Sequence, residues 1–455
     1  MAAHTGVSTQ ASEDWQFQQA FRLLEGLVDL TQADQLCPLG DQAVYTTSIV
    51  LWMLVYQRMN PDSSLEAAVK MLLDSRPAFL PDNKRVTGNT LSSKTGAYSR
   101  ARSRLPVEMA RWLATQVSQS LIAQTEPTFE GRRVFLFDGT TITLAPEAEL
   151  QQQFPPASNQ HGEGVWPVAL LVVAHELASG AALLPAVGAM YGPQAVSETA
   201  LLRELLPQLP SDGIVLADAG YGIFRVAWDV AHSGRSFVLR LTPQRFRAAK
   251  KKSTLADSGP GWSTYALRWR PTPKERRNHP ELPPDAELTV RLHEQSLENG
   301  KTLCFITDLP QSTTVLSGLY RHRGDVEIDI RNIKVVLNTE QIRARSVAMF
   351  EKELWTSLVA YNLVIQFRRQ AAALAHKAPR QMSFKRTWTT FRQFLWTKPP
   401  MTAPEWRAQY ERALGYAMQD TLPNRPGRSY PREVYRRRAK SSHFQKRQPP
   451  TRPDP

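Results

Sequence analysis

Along the chain the apolar positions change period more than once. From about Glu13 to Gln124 they recur at helical spacing, in "AFRLLEGLVDL", "TTSIVLWMLVYQRM", "LEAAVKMLLD" and "VEMARWLATQVSQSLI", which predicts a helical N-terminal module over residues 13–130. Residues 1–12 carry no such pattern and are expected to be disordered. From Arg133 the text turns to strands: "RVFLFDGTTITL", "WPVALLVVAHEL" and, after a turn at "ASG", "AALLPAVGAM". A meander is the simplest arrangement for these three. There follow a helix in "SETALLRELLPQL" with Ser197 and Glu198 near its start, a buried strand "GIVLAD", a helix through "FRVAWDVAHSG" ended by Gly234, and a strand "SFVLRL". Three antiparallel strands and then alternating helix and strand predict an α/β fold with a mixed sheet over residues 131–241.

Residues 242–311 are expected to interrupt that sheet with a β-rich insertion. It opens on basic text, "TPQRFRAAKKKS", and closes on a hairpin of "ELTVRLHE" and "TLCFITDL". Residues 312–375 return to helix, with one long helix from about Thr313 to Leu337 and a second from about Val347 to Leu374. Residues 376–455 read as helical text running into a basic tail. No internal repeat organises the chain.

Charge changes this picture at the C-terminal end. The chain of 455 residues has a formal net charge of +14, and residues 377–455 alone hold +13 of it, densest in "SYPREVYRRRAKSSHFQKRQPPTRP". A polyanion is the partner this distribution suits, since Lys and Arg bind phosphates with release of counterions; a solvated tail would read the same way. A second basic stretch, "SSKTGAYSRARSRLP", sets Lys94, Arg100, Arg102 and Arg104 around Tyr98. It fits either a phosphate-tracking segment or an exposed connection.

Other classes fall away. The two cysteines, Cys37 and Cys304, are too far apart in sequence for a zinc or redox motif, and the start lacks an apolar signal core, so a reduced, cytoplasmic protein is expected. The longest apolar run, Trp166 to Ala174, is far short of the roughly 20 residues that span a bilayer, so no membrane partner is expected. Histidines such as His161, His175 and His232 are scattered without paired ligand spacing.

Two aspartates close apolar strands: Asp138 in "VFLFDGTT" and Asp218 in "IVLADAGYG". Either alone is also ordinary turn chemistry after a strand. The third element is "YRHRGDVEIDIRNIK", where Tyr320, Arg323, Glu327 and Lys334 keep the spacing Tyr-x2-Arg-x3-Glu-x6-Lys. Four fixed residues at this spacing would arise by chance about 0.003 times in a chain of this length. A seven-residue step in an α-helix returns to nearly the same face, so Tyr320, Glu327 and Lys334 are expected to form one stripe.

With these residues in hand the chain resembles the DDE transposases of the insertion-sequence-four type, whose signature is this Tyr-Arg-Glu-Lys spacing. The resemblance covers Val134 to about Leu374. It implies a ribonuclease H-like fold and a catalytic triad of Asp138 before Gly-Thr, Asp218 before a Gly-aromatic pair, and the signature Glu327. These three would bind two Mg²⁺ ions, with Mn²⁺ able to substitute, for phosphodiester hydrolysis at transposon ends and strand transfer into target DNA. Tyr320, Arg323 and Lys334 would contact DNA. Trp262, in "GPGWS", would receive an extruded base from an exposed loop if the ends pass through hairpins, whereas Trp269 alternates with Leu267 as strand core would. The partners implied are double-stranded DNA, as terminal inverted repeats and target, and a second copy in the synaptic complex. One departure is visible: many relatives carry Arg after the second Asp, where this chain has Ala219. Two other readings stand beside this one, a domesticated DNA-binding protein that has lost the chemistry and a tyrosine recombinase with Tyr320 as nucleophile.

Overall fold

Successive residues of strand β1 (Val134–Thr143) enter different cores. Val134 and Leu136 lie with Leu216, Val238 and Phe305 on one face of the sheet, while Phe135 and Phe137 lie with Val215, Phe237 and Leu239 on the other. A strand covered on both faces reads as an unbroken apolar run, which is why "VFLF" shows no alternation.

In the computed structural model, ten strands among the described residues form one mixed sheet: β1, β2 (Pro156–Asn159), β3 (Gly162–Glu176), β4 (Ala186–Ala189), β5 (Ile214–Ala217), β6 (Ser236–Arg240), β7 (Thr254–Gly259), β8 (Trp262–Trp269), β9 (Leu288–Ser296) and β10 (Thr302–Thr307). The order is β2-β3-β1-β5-β6-β10-β9-β8-β7, with β4 also on β3. β1, β3 and β4 pair antiparallel, the meander expected, and β5 and β6 continue parallel to β1. That succession is the ribonuclease H-like order. The described residues are 19–39, 43–60, 64–75, 80–159, 162–298, 300–336, 342–396 and 402–423, and those up to Thr421 belong to one unit. Residues 1–12, His161 and the basic tail lie outside them.

Seven helices among the described residues precede the sheet: α1 (Gln19–Glu25), α2 (Gln32–Leu36), α3 (Thr47–Met59), α4 (Leu65–Ser75), α5 (Lys84–Thr87), α6 (Gly96–Arg104) and α7 (Val107–Ala123). Between and after the strands come α8 (Ala148–Gln153), α9 (Glu198–Leu205), α10 (Phe224–His232), α11 (Pro243–Lys250), α12 (Pro273–Asn278), α13 (Thr313–Tyr320), α14 (Asp325–Arg331), α15 (Val347–Leu374), α16 (Phe384–Trp396) and α17 (Ala403–Ala417). Helix α15 is buried almost all round, because α3, α7, α16 and α17 lie against it and its Tyr361 packs edge-on against His175 of β3. The N-terminal helices thus share one core with the sheet.

Two stretches fold differently from their sequence reading. Residues 242–311 extend the sheet instead of interrupting it: β10 pairs antiparallel with β6, and β9, β8 and β7 follow. Its basic opening is helix α11, started by the Thr242 side chain, which accepts from the Arg245 amide, with Pro243 in the first turn. The segment expected as one long helix is broken. A 3₁₀ turn (Arg321–Gly324) separates α13 from α14, and a π-helical turn (Asn332–Val336) follows α14. Four residues at about 120° each, in place of about 100°, rotate Glu327 roughly 60° from Tyr320, so the expected stripe does not form.

Candidate active site

Register brings the two aspartates together. Leu136 of β1 pairs with Leu216 of the parallel β5, so two residues further on Asp138 and Asp218 stand side by side on the face that α13 and α14 cover. β5 ends at Ala217 while β1 runs on to Thr143, which leaves an open edge on β1 from Gly139. Short local bonds fix both carboxylates: the Gly139 amide donates to Asp138 Oδ1 (3.0 Å) and the Gly220 amide to Asp218 Oδ1 (2.8 Å).

The third carboxylate arrives from α14, and all three converge on Arg323. Its guanidinium Nη2 lies 3.1 Å from Asp138 Oδ1 and 3.5 Å from Asp218 Oδ2, and Nη1 donates to Glu327 Oε1 one turn on. Burial pushes the Asp138 carboxyl up to about 6, an effect that Arg323 opposes and that Asp218 and Glu327 reinforce. Burial works against the Arg323 charge too, but the surrounding carboxylates outweigh it and hold its ionisation above the ordinary value. Among the described residues no three of His, Cys, Asp or Glu close on a common point as metal ligands; these three carboxylates meet on the guanidinium. Three hard oxygen donors gathered around one positive charge nonetheless fit a divalent cation of the Mg²⁺ type.

The remaining signature residues have separate positions. Tyr320 is 7% exposed, stacks on Phe305 and directs its hydroxyl at the Ala217 carbonyl at 3.5 Å, so it braces the end of β5 from the core. A nucleophile poised for DNA would not be buried in this way, which counts against the tyrosine recombinase. Lys334 donates from the π-helical turn to the Thr141 carbonyl (2.7 Å) on the open edge of β1. Trp262 opens β8 instead of standing in a loop, half-buried with its indole over Gly259. It lies on the same sheet edge as Asp218, four strands and about 20 Å away at ordinary strand spacing. Trp269 packs edge-on against Phe224, as its alternation suggested.

Residues 129–363 match the family described as Transposase DDE domain. The chain belongs to the DDE transposases. A curated relative of this transposase, transposase InsG for insertion sequence element IS4 of Escherichia coli (strain K12), is 26% identical over 403 residues, which cover 86% of this chain and 85% of the relative. Among solved structures, the piggyBac transposase synaptic complex with hairpin DNA aligns at 12% identity and a TM-score of 0.42 over 91% of this chain and 86% of that one. The family acts on DNA with divalent metal ions. Among the described residues of the transposase no helix is long and apolar enough to cross a membrane.

Several neighbours of the transposase site went unnoticed in the sequence. Arg245 of α11 donates to the Ala219 carbonyl (2.7 Å), so an arginine reaches the loop after Asp218 from another element. Asp329, two residues past Glu327, is buried and bound to Arg380 Nη2 (2.9 Å), with His175 Nδ1 at 3.7 Å. Glu198 and Tyr221 adjoin the two aspartates. A sequence signal existed for Glu198: a glycine inside a strand, here Gly139, marks the close approach of another group.

Proposed function

We propose that this transposase cuts the ends of its element by phosphodiester hydrolysis and transfers the freed 3′ hydroxyls into target DNA in a cut-and-paste reaction, acting in the bacterial cytoplasm. Asp138, Asp218 and Glu327 would hold two Mg²⁺ ions. The observation that carries the reading is the convergence of these three carboxylates, from β1, the end of β5 and α14, on the one Arg323 guanidinium. Bound there, the metal ions supply the Lewis-acid charge that activates the attacking oxygen and offsets the leaving alkoxide.

The chain's own groups orient the DNA around that centre. Arg323 is the fork-shaped donor for a phosphate beside the carboxylates, and Lys334 adds a point charge on the open edge of β1. Arg245 offers the second edge of its guanidinium next to Asp218. The N-terminal helices supply the broader duplex contact: a cleft of about 880 Å³ there is lined by Lys84, Arg85, Arg100 and Arg104. Tyr98, buried and donating to Gln57 Oε1 (2.7 Å), supports α6 from beneath and leaves the contacts to its basic neighbours. Two copies would pair the two ends.

The test uses a supercoiled plasmid carrying the inverted repeats that flank the gene. The full-length protein is expected to nick both 3′ ends and form strand-transfer products only with Mg²⁺ or Mn²⁺. Binding without cleavage would identify an idle DNA-binding protein, and a covalent protein–DNA adduct a tyrosine recombinase. For Trp262, the expected result is that Trp262→Ala lowers hairpin yield about tenfold on a pre-cleaved end with a free 3′ hydroxyl, since a stacked base is worth about 1–3 kcal/mol. Equal yield on a denaturing gel removes Trp262 from that role.

A further inference from the structure

Glu198 is the first residue of α9, and its carboxylate lies directly over Gly139. A Cβ built on Gly139 would meet Glu198 Cδ at 2.2 Å and its oxygens at 2.3 and 2.7 Å, so glycine beside Asp138 is what lets this carboxylate in. An acidic residue in the first turn suits the helix dipole, but that preference requires no glycine on the neighbouring strand. Nor is Glu198 neutralised by a basic side chain: it forms no ion pair among the described residues.

A second observation points to the same spot. Tyr221 is 1% exposed, and its hydroxyl makes no hydrogen bond. Glu198 is the carboxylate that acts on it most strongly, followed by Asp138 and Asp218, so the hydroxyl faces this group. A buried hydroxyl without a partner costs about 1–3 kcal/mol, so the arrangement is incomplete as it stands. The open edge of β1 past the end of β5 explains how groups from both faces of the sheet meet here. Four carboxylates thus border one edge, and Arg323 offsets a single charge among them.

We propose that Glu198 is a fourth carboxylate of the active site, sharing a divalent cation with Asp138 across the open edge of β1, with the Tyr221 hydroxyl as the donor that fixes it. The proposal rests on the transposase reading. Hard oxygen donors in excess of their counter-charge select Mg²⁺ or Mn²⁺, and Tyr221 acts as a positioning residue that orients the ligand.

The experiment is a Mn²⁺ titration of the full-length protein on pre-cleaved end DNA, following free Mn²⁺ by electron paramagnetic resonance. Glu198→Gln is expected to weaken Mn²⁺ binding about tenfold, and Tyr221→Phe by a smaller factor in the same direction, with the melting temperature not lowered in either and metal-free DNA affinity unchanged. The half-saturating Mn²⁺ concentration for nicking should move with the binding curve. A Glu198→Gln isotherm that overlays the wild type overturns the proposal. Should that variant fold poorly, Fe²⁺ and ascorbate applied to the wild-type chain give an independent readout: scission is expected beside both residues 138–139 and residue 198, and its absence at 198 is equally fatal. Asp138→Asn separates the two levels. If it leaves Mn²⁺ binding intact, the metal reading of the whole site fails; if it abolishes binding while Glu198→Gln changes nothing, only the fourth carboxylate is lost.

Discussion

Asp138→Asn, Asp218→Asn and Glu327→Gln are each expected to lower end nicking at least about a thousandfold, while affinity for end DNA measured without divalent metal stays within about twofold. Each substitution keeps shape and removes one negative charge from a site proposed to gather cations around a phosphate, and loss of such transition-state stabilisation is worth several kcal/mol. Binding is spared because the duplex is held by basic side chains elsewhere. The three effects should be strongly non-additive, since a site missing one ligand has little left for a second substitution to remove. Cleavage at the wild-type rate by any one variant excludes that residue from the catalytic set. The assay is nicking of labelled end DNA in Mg²⁺, beside a gel-shift measurement on the same proteins without divalent metal.

Arg380→Ala is expected to cost about 3–5 kcal/mol of stability, the usual result of removing one partner from a buried ion pair. Asp329 would be left charged in the core with His175 as its neighbour. Helix α14 is seven residues long and lies between a 3₁₀ and a π-helical turn, so by itself it is a weak platform for Glu327. Denaturant unfolding would read the loss. Arg380→Lys should recover part of it, and the double variant Asp329→Asn, Arg380→Gln should cost less than Arg380→Ala alone. The same cluster sets an acid limit. Burial lowers the His175 pKa below the ordinary imidazole value of 6.5, with Asp329 opposing the shift. A depressed value means that the unfolded chain takes up the proton first. The contribution of His175 is therefore present above about pH 6.5 and is lost as pH falls through the folded value. Between pH 7 and 5, stability should fall less steeply in His175→Asn than in the wild type.

The carboxylates proposed for catalysis were legible from the text around them, although only Asp218 stands at the end of its strand and Asp138 lies midway along β1. Asp138 and Asp218 follow apolar runs, and Glu327 is marked by spacing to its neighbours. What the spacing could not convey is the turn at Arg321–Gly324: a glycine and three basic residues with no capping side chain tighten the helix and send Tyr320 inward while Glu327 stays outside. The residues at 242–251 looked like loop because they are basic, although Thr242-Pro243 carried a helix start. Trp262 looked like loop because of its glycines, which form the hairpin turn preceding it. Glu198, Arg245 and Arg380 reach the site across 60, 27 and 53 residues of chain from Asp138, Asp218 and Glu327 respectively. No local pattern records a meeting at that range.

The single guanidinium shared by three carboxylates has a consequence for the order of events. On the function proposed above, Arg323 and a divalent ion would compete for the same oxygens, so whatever draws Arg323 away would make room for the ion. A DNA phosphate is such a group, because it offers the fork an acceptor as good as the one it leaves. Binding free energies are reciprocal: if DNA raises the affinity for metal, metal raises the affinity for DNA by the same factor. In the absence of DNA the arginine is a tethered counterion to three carboxylates, and on this reading substrate and cofactor would each help to evict it for the other.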